Sequence, residues 1–379
     1  MKRYIAEKRR FVTAAGGQLR HVLIVPGNED RVEGDEICRM YTIASPLISR
    51  TSRYRVLFRL SQIERILEHE RPDLIESGDP YQVAWKALEC GGDLRIPVVG
   101  FYHSHFPEAY VRTVQKFLGP IVMEAFMDFA RRYVRNLYGR FERTFVPSPA
   151  LADLLVVWGL DRTRVRHNDL GVDTDIFQPR EGELNDVRGM YGIPTERKLL
   201  LYVGRLAQEK NTHTLFAAFR LLHQEAPGKF QLFVVGDGLQ RKELERLKTE
   251  AVGSVSHLAY CNQSEDLAKI YRAADLFVHP GVQETFGLAT LEAQACGTPV
   301  IGIRGSYMDR IIHNDQTMWA EANTPDALAE AIVQMNRAEH QIDRVTLHRR
   351  IARKYSWDQI FELLFAEYRE IVESYRSRS

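Results

Sequence analysis

Cysteine is scarce in this sequence. There are four in 379 residues, Cys38, Cys90, Cys261 and Cys296, and no two stand in C-x-x-C spacing. That scatter argues against a disulfide framework or a cysteine-built zinc site and predicts reduced thiols in a cytoplasmic setting. Net charge is nearly absent as well: 51 Lys and Arg against 50 Asp and Glu leave +1, so no bulk field draws the chain to nucleic acid. No apolar run approaches about 18 residues, so none reads as a membrane span. The opening MKRYIAEKRR has charges with no apolar core behind them, unlike a signal peptide. What is present is 45% hydrophobic residues over a length that can fill two cores, so two domains of about 150 to 200 residues are expected.

The most informative stretch is HPGVQETFGLATLEAQACGTPVIGI, from His279 to Ile303. LFVHP is a short apolar run stopped by Pro280 and Gly281, and TPVIGI is another, so Thr285 to Ala295 is expected to cross between them as a helix. This is a βαβ unit of a parallel sheet. In such a unit the loop at the strand's carboxyl end and the helix start behind it form the ligand crevice. Phe286, Gly287 and Leu288 are expected to present backbone N–H groups there, a setting for an anion. Glu284 in the loop and Glu292 on the helix flank it, and carboxylates accept well from vicinal hydroxyls. An anionic part and two hydroxyl-bearing parts describe a sugar nucleotide; the bland alternative is two solvated surface charges.

With its E-x7-E spacing and the Gly-Thr-Pro-Val strand behind it, this segment resembles the retaining GT-B glycosyltransferases of the large family that includes bacterial mannosyl- and glucosyltransferases. The resemblance implies an α/β fold of two Rossmann-like domains facing across a cleft. It implies an acceptor-side domain over 1–170, a nucleotide-sugar domain over 171–355, and a terminal helix over 356–379 that returns to the first domain.

Taken in order, Lys2 to Val12 reads as a helix and HVLIVPG as the first buried strand. The resemblance implies an earlier strand ending in a glycine-rich loop before that helix; neither precedes it, and Gly16-Gly17 stands on the wrong side of a strand to replace the loop, so the chain is expected to start late. The segment from Pro26 to Arg39 is acidic and reads as loop, and Arg-rich polar sequence runs on to Arg59. LSQIERILEHE is an amphipathic helix, Leu74 to Glu76 a strand, and Gln82 to Leu88 a helix. PVVGFYHSHFP ends a strand with His103 and His105. Side chains at i and i+2 share a strand face, so a metal pair, two polar residues at a strand end and a sugar contact are three readings; no third ligand with suitable spacing favours the metal. The resemblance points to His103 as a donor-sugar contact, and YHSHFP is also similar to the sulfoquinovosyl branch of the family. Val111 to Arg143 is a long helical region broken near Gly119-Pro120. It mixes Phe126, Phe129 and Tyr133 with Arg131, Arg132, Arg135 and Arg140, which suits either an anionic membrane surface or a helix with its apolar stripe buried and its arginines in water. Ser148-Pro149 reads as an N-cap followed by an N1 proline.

In the second half, KLLLYV is a strand whose following loop carries Arg205, Glu209 and Lys210, with a helix from about Asn211. Two cations at a strand's carboxyl end can converge on a diphosphate, and the resemblance implies that role for Arg205 and Lys210. GDGLQR is a weak dinucleotide fingerprint with Arg241 in place of the third glycine, so NAD is not expected, and Gly236 is a nucleotide-side candidate by resemblance. Asp173-Thr174-Asp175 spells D-x-D within a turn-rich linker and reads as turn chemistry. No metal and no cofactor beyond the donor substrate are expected. Gly305-Ser306-Tyr307-Met308-Asp309 departs from the family's Gly-Gly-x-Pro-Glu. Thr324 and Ser356 read as helix caps.

The resemblance implies transfer of a hexose from a nucleoside-diphosphate sugar to a lipid or glycan acceptor, with retention by front-face attack. Arg205, Lys210 and the amides at Gly287 and Leu288 would meet the leaving diphosphate, while Glu292 holds the ribose and Glu284 the sugar. The setting is cytoplasmic, at the inner face of the membrane if the basic helix binds it, in cell-envelope glycan or glycolipid synthesis. Competing expectations are a non-catalytic sugar-nucleotide binder, or an epimerase or phosphorylase on the same scaffold.

Overall fold

A computed structural model describes residues 2–49, 54–102, 120–180, 184–282, 286–314, 318–338 and 343–378. The chain divides into two compact units, Met1–Asp169 with Ile360–Ser379, and Leu170–Gln359.

In the first unit, β1 (His21–Gly27), β2 (Arg31–Gly34) and β3 (Cys38–Ala44) form a three-stranded sheet in the order β1-β3-β2, with β1 parallel and β2 antiparallel to β3. A short antiparallel pair follows, β4 (Leu47–Ser49) with β5 (Tyr54–Arg55). The main sheet is β6 (Ile75–Ser77), β7 (Val98–Phe101), β8 (Arg143–Val146) and β9 (Val165–His167), parallel throughout and in sequence order. Its helices are α1 (Lys2–Ala14), α2 (Leu60–Glu70), α3 (Gln82–Leu94), α4 (Pro120–Tyr138) and α5 (Pro149–Val157).

Three expectations fail here for local reasons. The acidic segment after Pro26 is not loop throughout but holds β2 and the start of β3. Its acids serve the turns instead: Asp30 accepts from the Ala44 amide at 2.7 Å, and Asp35 from the Ile37 and Cys38 amides at 2.9 and 2.8 Å. An exposed edge strand such as β2 carries charges at no cost, which hides it from a search for apolar alternation. The Arg-rich stretch to Arg59 likewise contains β4 and β5. Helix α3 runs six residues past Leu88, through Gly91 and Gly92. The Gly91 position packs so tightly on β7 that a Cβ would come within 2.2 Å of Val98 Cγ2, so there glycine serves packing rather than termination.

The second unit holds one parallel sheet of five strands: β10 (Lys198–Val203), β11 (Phe230–Val235), β12 (Val255–Leu258), β13 (Leu276–Val278) and β14 (Val300–Ile301), in the order β12-β11-β10-β13-β14. Around it stand α6 (Leu184–Met190), α7 (Thr212–Glu225), α8 (Arg241–Glu250), α9 (Ser264–Ala273), α10 (Leu288–Ala295), α11 (Pro325–Ala338) and α12 (Arg344–Tyr355). Two apolar cores cover the two faces, one around Phe233, Phe277 and Leu291, the other around Leu232, Phe219 and Leu328. Alternate residues of β11 feed opposite cores, as the pleat requires. The linker Asp173 accepts from the amides of Asp175 and Ile176 at 3.1 and 3.2 Å, so D-x-D here is a turn.

The last helix, α13 (Trp357–Arg378), starts in the second unit and belongs to the first from Ile360 onward. Ser356 caps it by accepting from the Gln359 amide at 3.3 Å, while its own amide is taken by the Ala352 carbonyl. Within the first unit, Phe361 and Phe365 of α13 meet Phe11 of α1 at 5.6 Å each, and Phe361 meets Tyr4 at 5.5 Å. Lys8, only 4% exposed, lies among these rings and pairs with Glu76 of β6, which also accepts from the Tyr368 hydroxyl at 2.5 Å. Burial pushes the Glu76 carboxyl up, but the charge and hydrogen bond of Lys8, the Tyr368 hydroxyl and the charge of His21 together hold it below the usual carboxylate value.

Candidate active site

The strand order of the second unit decides where a ligand goes. From β10 the chain winds outward through β11 to β12, then returns to the other side of β10 as β13, so its direction reverses between β10 and β13. Open parallel sheets bind ligands outside the carboxyl ends of their strands at such a reversal. The loops leaving β10 and β13 carry Arg205 to Lys210 and His279 to Gly287, the segments that hold most of the expected site residues.

The loop after β10 turns through a short 3-10 segment, Gln208–Lys210, into Asn211, a buried residue with left-handed backbone at φ 56°. The Asn211 side-chain amide donates to the Pro280 carbonyl at 2.8 Å and to Asn323 Oδ1 at 2.7 Å. It thereby ties the loop after β10 to the loop after β13 across the reversal point. Arg205 has its side chain 74% exposed, with its guanidinium 3.1 Å from Glu209. Lys210 is half-buried at the end of the same turn. Gly236 ends β11 against that loop, where a Cβ would lie 1.9 Å from the Gly204 carbonyl oxygen, and at φ 144° only glycine sits there without strain.

On the β13 side, α10 begins at Leu288 rather than in the region of Thr285 and Phe286. Gly287 is its N-cap in left-handed conformation, φ 84°. At that φ glycine sits without strain, and it also leaves room for Met308, whose Sδ would lie 2.7 Å from a Cβ there. The first amides to find carbonyls are those of Thr290 and Leu291, both on Gly287 O. The Leu288 and Ala289 amides therefore stand at the open N-terminus, where the helix dipole favours an anion. Phe286 is 4% exposed and belongs to the core beneath. Glu292, one turn into α10 and 4% exposed, accepts from the Tyr271 hydroxyl of α9 at 3.0 Å. Glu284 and His103, as well as His105, lie outside the described residues.

The arrangement thus brings together one loop with two cations, a close-packed glycine, and a helix start with a carboxylate one turn behind it. Arg205 and Glu292 belong to different segments of the same sheet edge, Arg205 beside Glu209 and Glu292 beneath the Tyr271 hydroxyl. Two residues that position these segments escape a motif search. Asn211 had no signal beyond its place before a helix, and Tyr271 looks like any core tyrosine of an amphipathic helix. Met308 replaces the expected family pattern, and its buried thioether fills the space under Gly287. Among the described residues no group of three or more His, Cys, Asp or Glu could hold a metal ion, and no helix is long and apolar enough to cross a membrane.

A doubly wound nucleotide-type crevice built in this way defines a class of α/β ligand-binding proteins, and comparison with known proteins narrows it. The chain belongs to the family described as Glycosyl transferases group 1, whose model matches residues 185–353; the model of Glycosyltransferase Family 4 matches residues 1–176. A GDP-mannose-dependent alpha-mannosyltransferase of Corynebacterium glutamicum is 30% identical over 76% of this chain and 66% of its own length. A counterpart of the same name in Mycobacterium tuberculosis is 27% identical over 91% of this chain and 86% of its own. A sulfoquinovosyl transferase of Arabidopsis thaliana is 29% identical over 68% of this chain but only 47% of its own length. The chain therefore spans from about half to most of the curated relatives it matches. Among solved structures, sucrose-phosphate synthase from Thermosynechococcus elongatus superposes with a TM-score of 0.72 at 23% identity, covering 98% of this chain and 93% of that one. Anabaena HepE in complex with UDP-glucose gives 0.67 at 16% identity over 94% and 99%. These likenesses establish the fold as GT-B, the α/β architecture of those glycosyltransferases.

Proposed function

We propose that this protein transfers a hexose from a nucleoside-diphosphate sugar to a lipid or glycan acceptor. The reading rests chiefly on one observation: at the β10–β13 reversal Asn211 ties the turn that carries Arg205 and Lys210 to Pro280, in the segment that follows β13 and precedes the glycine-capped helix. Such a site suits a diphosphate, whose negative charge grows as the glycosidic bond breaks. Arg205, Lys210 and the amides at Gly287 and Leu288 stabilise that leaving group, and these fixed positive groups stand where a divalent metal would otherwise be called for. Glu292, oriented by Tyr271, accepts from ribose hydroxyls, and Glu284 from the sugar hydroxyls near the ring. His103 contacts the donor sugar, and Gly236 leaves room for the nucleotide. The departing phosphate oxygen takes the acceptor's proton on the face it leaves, so configuration is retained without a protein nucleophile. The work is done in the cytoplasm, at the inner membrane face where the acceptor is a lipid.

Thermal stability measured against a panel of UDP- and GDP-sugars without added metal tests the donor site, because a ligand bound only by the folded state raises its melting point. A rise with one nucleotide that vanishes in Arg205→Ala is expected. In initial-rate assays, Arg205→Ala, Lys210→Ala and Glu284→Ala should each lose roughly two orders of magnitude, the usual cost of one preorganised charge contact. A protein that melts cooperatively, binds none of the panel and keeps its rates in these variants would refute the proposal.

A further inference from the structure

A second concentration of positive charge lies in the first unit, at the end of the basic helix whose arginines suit either an anionic surface or water. An open concavity of about 800 Å³ is lined by Arg132, Arg135 and Arg140 at the end of α4, and by Gly159, Asp161 and Arg164 between α5 and β9. Both segments lead into the starts of parallel strands, β8 and β9, so the concavity sits at the amino edge of the four-stranded sheet. Ligand crevices of such sheets form at the opposite, carboxyl edge.

Among the described residues these charges are not balanced by carboxylates. Four guanidinium groups face a single carboxylate, Asp161, which is already engaged by the Thr163 amide and hydroxyl at 2.8 Å each. Arg164 donates to the Gly139 carbonyl at 3.3 Å, and Arg140 donates to Asn136 at 3.4 Å while stacking 5.3 Å over Trp85. The guanidinium groups of Arg132 and Arg135 make no hydrogen bond or ion pair among the described residues. Adjacent arginines outside the concavity are treated differently. Arg131 pairs with Asp128 at 3.1 Å, and Arg162 with Asp153 at 2.6 Å. The helix C-terminus of α4 attracts cations, which accounts for Arg164 on its last carbonyls but not for four. Gly159 turns in left-handed backbone at φ 98°, with the Arg135 stem passing beside it.

Unpaired arginine forks lining one concavity match the oxygens of a phosphate group, which they bind bidentately. We infer that this concavity is a binding site for a phosphate-bearing anion, distinct from the donor crevice. The phosphate belongs either to a small soluble molecule or to the headgroup of an anionic lipid.

Calorimetric titration of the full chain with inorganic pyrophosphate, and flotation with phosphatidylglycerol-containing against pure phosphatidylcholine vesicles, separate those two sources. The double substitution Arg132→Gln with Arg135→Gln should weaken whichever probe binds by roughly a hundredfold, about tenfold for each charged contact. Arg131→Gln should leave binding unchanged. Arg205→Ala identifies any pyrophosphate held in the donor crevice. Binding that persists in the double variant, that disappears only with Arg205→Ala, or that is absent from the unaltered protein with both probes overturns the inference. Should the double variant lose its melting transition, Arg132→Gln alone, an exposed position, carries the test with a tenfold loss expected.

Discussion

The two parallel-sheet regions of this molecule start from similar sequence and end differently. In β10, KLLLYV, the four central residues are buried, whereas in β1, HVLIVPG, none is fully buried. The two runs are equally apolar. What separates them is lateral order: β10 has a strand on each side, β11 and β13, while β1 pairs with β3 alone. An apolar run therefore announces a strand, but its burial is set by neighbours distant in sequence.

The largest effect that would break this comparison is a core truncation in each strand set. Phe233→Ala in β11, at a position 0% exposed, should cost about 3–5 kcal/mol. Leu23→Ala in half-buried β1 should cost about 1 kcal/mol, in proportion to the smaller area it hides. Urea titrations followed separately for the two units measure both, and equal losses would mean that β1 is as deeply packed as β11. Next comes Lys8→Ala. It leaves the Glu76 carboxylate without its cation among the rings of Tyr4, Phe365 and Tyr368, at a cost of about 3 kcal/mol near neutral pH. Adding Glu76→Gln should recover part of that loss, and a double variant no better than Lys8→Ala would show that packing rather than charge is at stake.

His21, the first residue of β1, gives a smaller effect with a defined pH window. Burial, then the charge of Lys8, lowers its pKa from 6.5 to about 4. The unfolded chain therefore binds a proton between pH 6.5 and 4 that the folded chain refuses, so this contribution is complete above about pH 6.5 and is lost as pH falls towards 4. Its full size is up to about 3 kcal/mol. Melting temperatures of the protein and of His21→Gln should converge on acidification through that window. Parallel curves would place the titration elsewhere.

How far the sequence carried these conclusions differs between the regions for the same reason. Strands and helices of the second unit follow their apolar periodicity closely, because a sheet covered on both faces demands continuous apolar runs such as LLLYV and FQLFVV. The βαβ unit around Gly287 was legible because Pro280, Gly281 and Gly287 punctuate it, although the helix starts later than periodicity suggests, after Gly287 as its left-handed N-cap. In the first unit β2, β4 and β5 were hidden, since short exposed strands carry charge and lose the alternating pattern. Residues that hold the candidate site from behind were invisible for another reason. Asn211 reaches partners 69 and 112 residues away and Tyr271 one 21 residues away, and no local pattern encodes such pairings.

Helix capping supplies the smallest and sharpest test, because it should not distinguish the two regions at all. Ser148 accepts from the Leu151 amide at the start of α5 in the first unit, and Thr324 from the Ala327 amide at the start of α11 in the second, both at 3.3 Å. Each satisfies one orphan amide through a side chain next to a proline, and neither depends on strand order. Ser148→Ala and Thr324→Ala should each cost about 1 kcal/mol in the unit that holds them. Equal losses at the caps beside unequal losses at Phe233 and Leu23 would locate the difference between the units in the lateral burial of their strands. A cap in the first unit that costs several times its counterpart would instead trace the difference to local structure, and the argument from strand order would fall.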